Sequence, residues 1–128
     1  MEKISVQATP APGNPGITLL SVKGYIDTLT SVEFEKNLLL ALEDKKNKLV
    51  VDLKEVAYIS SAGWGIFIGH IKKIRDQKGD LILAGMKPEV SEVFELLEFN
   101  TILKAFPDVQ VAIQKGFGHD PRVVPILL

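Results

Sequence analysis

The fold is most clearly indicated by the stretch Val51-Asp52-Leu53-Lys54-Glu55-Val56-Ala57-Tyr58-Ile59-Ser60-Ser61-Ala62-Gly63-Trp64-Gly65. Residues 49–53 form a short run of apolar side chains, two of them β-branched, that is interrupted only by Asp52, which is typical of a buried central strand. A helix is predicted to begin near Ser61, because apolar residues then recur at helical spacing. Those residues are Trp64, Phe67, Ile71 and Ile74. The segment therefore predicts a strand, a turn and a helix in direct succession.

Upstream of this segment, the sequence predicts two strands and a helix. Residues 4–8 alternate apolar and polar side chains, as a half-buried strand does. A Pro/Gly cluster at residues 10–16 separates them from a second strand at residues 17–22, which predicts an antiparallel hairpin with a long loop. Thr28 or Thr30 is a candidate N-cap for the helix that follows. The apolar face of that helix is predicted to comprise Val32, Phe34, Leu38, Leu39 and Leu42.

Downstream, strands and helices continue to alternate. Residues 81–84 predict another buried strand, and Pro88 stands at a favourable first position for a third helix. Residues 102–103 predict one more short strand, and residues 109–115 predict a short helix or a strand. The apolar face of the third helix is predicted from Val90, Val93, Phe94 and Leu97. This order predicts an α/β fold, a mixed and mostly parallel β-sheet with α-helices packed against it.

Composition narrows the possible functions. The chain has 128 residues, which is enough for one domain, and its net charge of −1 lacks the basic excess of a nucleic-acid binder. The absence of cysteine excludes disulfides and cysteine-ligated zinc. The apolar runs are too short to span a membrane, and no secretory signal is visible at the N-terminus. We therefore expect a cytoplasmic protein without a membrane span.

Residues that would support catalysis are sparse. The histidines, His70 and His119, are far apart in sequence and lack the spacing of metal ligands, so no metal site is expected. Neither a Ser-His-Asp set nor paired carboxylates can be specified, and the glycine pair at 63 and 65 is too sparse for a nucleotide-binding loop. The sequence predicts a protein that is not an enzyme and needs no cofactor.

The central segment resembles the signature of the STAS family, which includes anti-sigma factor antagonists and the cytoplasmic domains of sulfate transporters. The resemblance extends to Gly24-Tyr25-Ile26-Asp27, which is similar to the family's loop after the second strand. It also extends to the stretches at residues 79–85 and 93–97, which fit the family's fourth strand and third helix. The resemblance implies a STAS domain over residues 1–115, followed by a C-terminal tail at residues 116–128.

The same resemblance implies a regulatory role. By position, Ser61 matches the serine that is phosphorylated in anti-sigma factor antagonists, and Ser60 is the alternative. This sequence departs from the family pattern twice, because Ser60 replaces a common acidic residue and Trp64 replaces a common leucine. The implied partners are an anti-sigma-factor-like serine kinase and a serine phosphatase, and a homodimer is left open. The residues expected to contact the partner are Asp27, Ser60, Ser61, Ala62, Gly63 and Trp64.

A helix start suits a phosphorylation switch, because it presents unpaired backbone N–H groups and the positive end of the helix dipole. Gly63 and Gly65 would let a partner or a phosphate approach the backbone closely. Simpler structural roles remain as alternatives. Either serine could be only an N-cap, Asp27 a turn residue, and Trp64 a core residue. The alternative function is that of a structural STAS subunit of a transport complex, without phosphorylation.

Overall fold

The structure is a computed structural model that describes residues 3–117. It contains five strands, four α-helices and a 3-10 turn at Phe99–Thr101. In chain order the elements are β1 Ser5–Ala11, β2 Asn14–Ile26, α1 Thr30–Glu43, β3 Lys48–Ile59, α2 Ser61–Asp76, β4 Asp80–Ala84, α3 Pro88–Leu96, β5 Lys104–Phe106 and α4 Val109–Lys115. Most of the predicted tail, residues 118–128, lies outside the described residues.

The strands form one sheet in the order β1-β2-β3-β4-β5. The β1–β2 pair is antiparallel, and the other three pairs are parallel. The predicted α/β fold with a mixed, mostly parallel sheet is therefore confirmed. Because β2 to β5 run in the same direction, their carboxyl ends lie along one edge of the sheet, where Ile26 of β2 pairs with Ile59 of β3. That edge is where ligands usually bind in open α/β sheets.

The two faces of the sheet are covered differently. Helices α1, α2 and α3 contribute Phe34, Phe67 and Phe94 to the larger core, and all three rings are buried. On the opposite face, Ala112 of α4 packs in a smaller cluster with Val50 of β3 and with β4. The central strands β3 and β4 are therefore buried on both faces, which explains why their sequences are nearly continuous apolar runs.

The predicted long loop of the β1–β2 hairpin is wrong. Strand β1 continues to Ala11 and β2 begins at Asn14, so the connection consists of Pro12 and Gly13, and Gly13 has a φ of +77°. Pro10 is accommodated within β1 because an edge strand can lack a backbone donor on its solvent side. The short strand predicted at residues 102–103 is also misplaced, since β5 begins at Lys104. Residues 109–115 are helical, which settles the alternative between helix and strand.

The predicted helix faces are correct for α2 and partly wrong elsewhere. All four predicted residues of α2 are buried. In α1, Phe34 and Leu38 are buried as predicted, but Val32 is 70% exposed and Leu39 is 43% exposed. In α3, Val93 and Leu97 are exposed, whereas Val90 and Phe94 are buried. Helices α1 and α3 have more apolar residues than they bury. The positions of these residues alone therefore do not specify which face of the helix packs against the core.

Candidate partner-binding site

The two adjacent serines lie in the turn between β3 and α2 and have different environments. Ser60 has an extended backbone, and its hydroxyl oxygen accepts a hydrogen bond of 3.3 Å from the backbone N–H of Gly63. It is therefore the N-cap of α2 and is buried. Ser61 is the first residue of the helix and is exposed. Of the two hydroxyls, only that of Ser61 lies on an exposed residue at the positive end of the helix.

The start of α2 is held directly against the neighbouring strand. The backbone N–H of Ser60 donates a 2.8 Å hydrogen bond to the carbonyl oxygen of Ile26, the last residue of β2. A Cβ at Gly63 would lie 2.7 Å from Ile26 Cγ2 and 2.8 Å from Ile59 Cγ2. Gly63 is thus required for packing inside the protein, and its expected role in letting a partner approach is not supported. A Cβ at Gly65 would have no atom within 4 Å, so Gly65 leaves the outer surface of the helix uncovered.

Asp27 organises the neighbouring loop at the carboxyl end of β2. Its carboxylate oxygen Oδ1 accepts hydrogen bonds of 2.9 Å from the backbone N–H groups of Leu29 and Thr30. In return, the Asp27 backbone N–H donates to the Thr30 hydroxyl oxygen at 2.9 Å. The bond from the Thr30 N–H is the main reason that the pKa of Asp27 is lowered, and desolvation of the carboxylate opposes it.

This arrangement corrects the predicted capping of α1. The cap position is Leu29, which makes no side-chain capping bond, and Thr30 is already the first helical residue. Asp27 supplies the acceptor, which agrees with its alternative role as a turn residue. The Asp-x-x-Thr spacing at residues 27–30 was a signal for this reciprocal bonding. Because Ile26 precedes Asp27 and accepts the bond from Ser60, the two loops meet at the same edge of the sheet.

Trp64 lies in the core and not on the surface. It is 3% exposed, and its ring centroid is 5.9 Å from Phe67, 5.8 Å from Phe94 and 5.2 Å from Phe99. The alternative in which Trp64 packs in the core is therefore correct, and an exposed anchor is not observed. The physical reason is helical spacing, because Trp64 shares the inward face of α2 with Phe67. Ala62 is half-buried beside the exposed Ser61.

Apolar surface near this edge was missed by the sequence analysis. Tyr58, two residues before the N-cap, is 53% exposed, and Leu29, two residues after Asp27, is 70% exposed. Tyr58 is the last residue but one of β3 and Leu29 stands directly before α1, so the periodicity of these elements says little about how the two side chains are oriented. Their position beside the predicted turns at Ser61 and Asp27 could have indicated that Tyr58 and Leu29 belong to the same surface. Exposed aromatic and aliphatic side chains of this kind are common in protein interfaces.

Residues 3–117 contain no group of three or more His, Cys, Asp or Glu side chains that could hold a metal ion. His70 instead approaches Glu35 of α1, with 2.8 Å between Nε2 and Oε2, and links α1 to α2. His119 lies outside the described residues. None of the helices within residues 3–117 has the length and hydropathy of a membrane-spanning segment.

The fold and site define a class of α/β proteins in which a serine begins a helix at the carboxyl end of a central strand. Comparison with known proteins specifies that class, because the family profile described as STAS domain matches residues 8–112. The chain therefore belongs to the STAS domain family, and its relatives and structural neighbours are of the anti-sigma factor antagonist type. The resemblance on which the sequence analysis relied is confirmed.

Three similar proteins illustrate the relationship. The anti-sigma-B factor antagonist of Listeria monocytogenes is 30% identical over 83 residues, which cover 65% of this chain and 73% of that protein. The crystal structure of an anti-sigma factor antagonist from Mycobacterium paratuberculosis has a TM-score of 0.77 at 22% identity and covers 87% of this chain and 92% of that one. The Bacillus cell fate determinant SpoIIAA in its phosphorylated form has a TM-score of 0.64 at 14% identity, with coverages of 88% and 99%. At these identities, the two structures show the shared fold.

Proposed function

We propose that this chain is a regulatory protein-binding module of the anti-sigma factor antagonist type, and that phosphorylation of Ser61 switches its binding. The observation that carries the proposal is that two adjacent serines differ in burial and in their position at the start of α2. Ser60 is buried and caps α2, while Ser61 is exposed at the first helical position. A kinase can reach Ser61 without unfolding the helix start, whereas modifying Ser60 would remove the cap.

The helix itself tolerates a phosphate at Ser61. A negative group near a helix N-terminus is stabilising by about 0.3–1 kcal/mol. A phosphoserine also adds roughly −1.5 to −2 charges and three acceptor oxygens. The switch therefore acts at the interface with the partner and not by melting the domain. Asp27 lies in the adjoining loop, so a phosphate on Ser61 adds to negative charge already present at this edge.

Phosphorylation of Ser61 is expected to weaken partner binding because the charged phosphate would lose its hydration in the interface. Burying a dianion against a surface that accepted a neutral hydroxyl is unfavourable unless a cation pairs with it. A loss of about 2.7 kcal/mol lowers the affinity a hundredfold, which is enough to release a partner. The proposed partner is a serine kinase of the anti-sigma-factor type in the cytoplasm, with a serine phosphatase that restores the hydroxyl. The name of the Listeria relative and the phosphorylated form of SpoIIAA support this assignment.

The first test is mass spectrometry of the protein from its native cells. Trypsin releases residues 55–72 as one peptide that contains both serines, so fragmentation between them assigns the modified residue. We expect phosphate on Ser61, and we expect Ser61→Ala to abolish it. The matched variant is Ser60→Ala, which should lose about 1 kcal/mol of stability with its N-cap but keep the phosphate. Phosphate on Ser60, or none under any growth condition, would contradict the proposal, and complete absence would favour a constitutive structural subunit.

The second test measures binding of the kinase to unmodified protein, to protein phosphorylated on Ser61, and to Ser61→Ala. The proposal expects phosphorylation to weaken binding about a hundredfold, which corresponds to about 2.7 kcal/mol. Ser61→Ala should bind within a few-fold of the unmodified protein, since it introduces no charge. Equal affinities of the phosphorylated and unmodified proteins would overturn the switch.

A further inference from the structure

Helix α1 has a second apolar side, which faces away from the rest of the protein. Each residue turns a helix by about 100°, so Val32, Leu39 and Leu40 lie roughly opposite the buried side that contains Phe34 and Leu38. Val32 is 70% exposed, Leu39 is 43% exposed and Leu40 is 54% exposed. Together with three charged residues they line a shallow groove of about 320 Å³, and the full set is Val32, Glu35, Lys36, Leu39, Leu40 and Glu43.

Two opposite charges lie along the middle of this outer side. Lys36 and Glu43 are both exposed, and within residues 3–117 no ion pair involves either of them. The third charged residue of the groove, Glu35, already contacts His70 with 2.8 Å between Oε2 and Nε2. Lys36 and Glu43 are about two helical turns apart, or roughly 10 Å along the axis, and the two leucines lie between them. The outer side therefore reads, along the helix, as a positive charge, an apolar centre and a negative charge.

This order of charges is complementary to a second copy of the same surface. A two-fold axis that passes midway between Leu39 and Leu40 reverses the direction of the helix and exchanges the heights of Lys36 and Glu43. Lys36 of each copy then faces Glu43 of the other copy, and the leucines of both copies meet at the centre. A parallel arrangement would instead oppose lysine to lysine and glutamate to glutamate, which is unfavourable. Such a self-complementary patch is what a closed two-fold interface requires.

We infer that the outer side of α1 is the interface of a weak, antiparallel homodimer. The apolar centre supplies most of the affinity, and the two Lys36–Glu43 pairs set the orientation, since exposed ion pairs contribute little affinity of their own. A contact between two single helices is small beside the roughly 800 Å² per partner of a stable complex, so we expect a Kd on the order of 100 µM. At about 5 µM, a usual concentration for unfolding titrations, the chain is then mostly monomeric.

The dimer leaves the serine turn available. Helix α1 packs against α2 through its inner side, where the ring centroids of Phe34 and Phe67 are 5.2 Å apart. The interface lies on the far side of α1 from α2, and Ser61 at the start of α2 stays exposed in each copy. The assembly therefore presents two partner-binding sites, and the inference does not depend on how Ser61 is regulated.

The first experiment is sedimentation equilibrium of the full chain from about 1 to 500 µM, a range that brackets the expected Kd. We expect the weight-average mass to rise with concentration from 14.1 kDa towards twice that value. Leu40→Glu should raise the dimer Kd at least tenfold. The matched control is Leu96→Glu on α3, where the leucine is 78% exposed and outside the interface, and it should change the Kd less than twofold. A chain that stays monomeric at the highest concentration, or equal effects of the two substitutions, would overturn the inference.

The second experiment tests the antiparallel pairing by exchanging the charges. Lys36→Glu and Glu43→Lys each oppose like charges at both contacts, so each variant alone should dimerise at least fivefold more weakly than wild type. An equimolar mixture of the two variants restores both pairs and should associate about as strongly as wild type. The double variant carries both changes in one chain and should also recover the wild-type Kd. Single variants that dimerise as well as wild type, or a double variant no better than either single one, would contradict this pairing.

The dimer and the proposed switch can fail separately. Phosphorylation of Ser61 should change the dimer Kd less than twofold, because the serine turn lies outside the interface. A change of tenfold or more would place the serine turn in the dimer contact and overturn the assignment to α1. If phosphorylation leaves kinase binding unchanged while Leu40→Glu still abolishes the dimer, the proposed function fails and the dimer stands.

Discussion

At the scale of single residues, the position of the helix start assigns the two serines their roles. The N-cap residue has a non-helical backbone, and its side chain faces the first turn, so Ser60 is turned inward. The next residue is helical and has no such constraint, so Ser61 faces solvent. The resemblance to the STAS signature placed Ser61 correctly in this turn. That Ser60 is the cap was one of two alternatives, because either serine satisfies the local pattern.

Gly63 and Gly65 provide a matched pair for testing the packing of the turn. Gly63→Ala would place a Cβ 2.7 Å from Ile26 Cγ2 and 3.0 Å from the Ile26 carbonyl oxygen. We expect overpacking of this kind to destabilise the protein by about 1–3 kcal/mol. Gly65→Ala meets no atom within 4 Å and should stabilise the helix by about 0.5–1 kcal/mol. Urea denaturation measures both, and equal effects of the two substitutions would contradict the packing described for Gly63.

Asp27 is expected to make the stability of the protein depend on acid pH. Its folded-state pKa is lowered, chiefly by the hydrogen bond from the Thr30 N–H. The ionised carboxylate therefore stabilises the fold above about pH 4, the usual pKa of an unfolded aspartate, and this contribution is lost as the pH falls through the lowered pKa. Asp27→Asn keeps an oxygen acceptor but cannot ionise.

The measurement is the urea midpoint of wild type and Asp27→Asn between pH 7 and pH 3. Wild type should be the more stable protein at pH 7, and the difference should shrink as the pH falls below about 4. A difference that stays constant over this range would show that ionisation of Asp27 contributes nothing to folding.

At the scale of elements, α1 shows that a helix can have more apolar residues than it buries. Its sequence has apolar residues on more than one side, and the structure buries only the side that contains Phe34 and Leu38. Val32 and Leu40 remain exposed because they lie away from the side of α1 that packs in the protein, which contains Phe34 and Leu38. In α2, by contrast, Trp64, Phe67, Ile71 and Ile74 recur at spacings of three and four residues along one side of the helix, so the predicted face was correct.

Leu38 and Leu40 can test this difference between the buried and exposed sides of α1. Leu38 is fully buried and Leu40 is 54% exposed. Leu38→Ala should destabilise the protein by about 2–5 kcal/mol, because it removes buried side-chain volume and leaves a cavity. Leu40→Ala should change stability by less than about 0.5 kcal/mol, as surface substitutions usually do. The free energies of unfolding from urea titrations compare the two, and a large loss from Leu40→Ala would indicate that this surface is covered in solution.

At the scale of the whole molecule, a charged cluster joins elements that are distant in sequence. Asp80 at the start of β4 accepts a 3.0 Å bond from Arg75 Nε and lies 3.3 Å from Lys104 Nζ. Lys104 also donates to the carbonyl oxygen of Gly116 at 2.9 Å. The cluster thereby connects the end of α2, the starts of β4 and β5, and the residue after α4. Both Asp80 and Lys104 are buried, so their charges depend on each other.

Removing one charge from this buried cluster should lower the free energy of unfolding much more than removing one charge from an exposed ion pair. Asp80→Asn removes the negative charge that faces Arg75 and the buried Lys104, and it should destabilise the fold by roughly 3 kcal/mol. The matched control is Asp76→Asn, which removes an exposed pair with Lys72 and should cost less than about 0.5 kcal/mol. Thermal and urea unfolding measure both variants, and a loss below about 1 kcal/mol for Asp80→Asn would contradict the structural role of the cluster.

The sequence by itself determined the order of the elements, the α/β class and the location of the serine turn. These depend on local features, namely β-branched runs, helical spacing and turn residues, whose physics acts over a few neighbouring positions. It also indicated the family through segments that agree in order. It predicted the hairpin loop and β5 less well, because an edge strand tolerates proline and because β5 has only three residues.

Only the tertiary structure decided which apolar residues are buried and which polar groups meet. Helical spacing already placed Trp64 on the apolar side of α2, but the residues that cover its ring, Phe94 and Phe99, come from far along the chain. Asp27 lies near the serine turn because β2 and β3 pair in parallel and end together. Asp80 and Lys104 pair across 24 positions of the chain, which no local pattern encodes. These outcomes depend on contacts between distant segments, and such contacts exist only once the sheet has assembled.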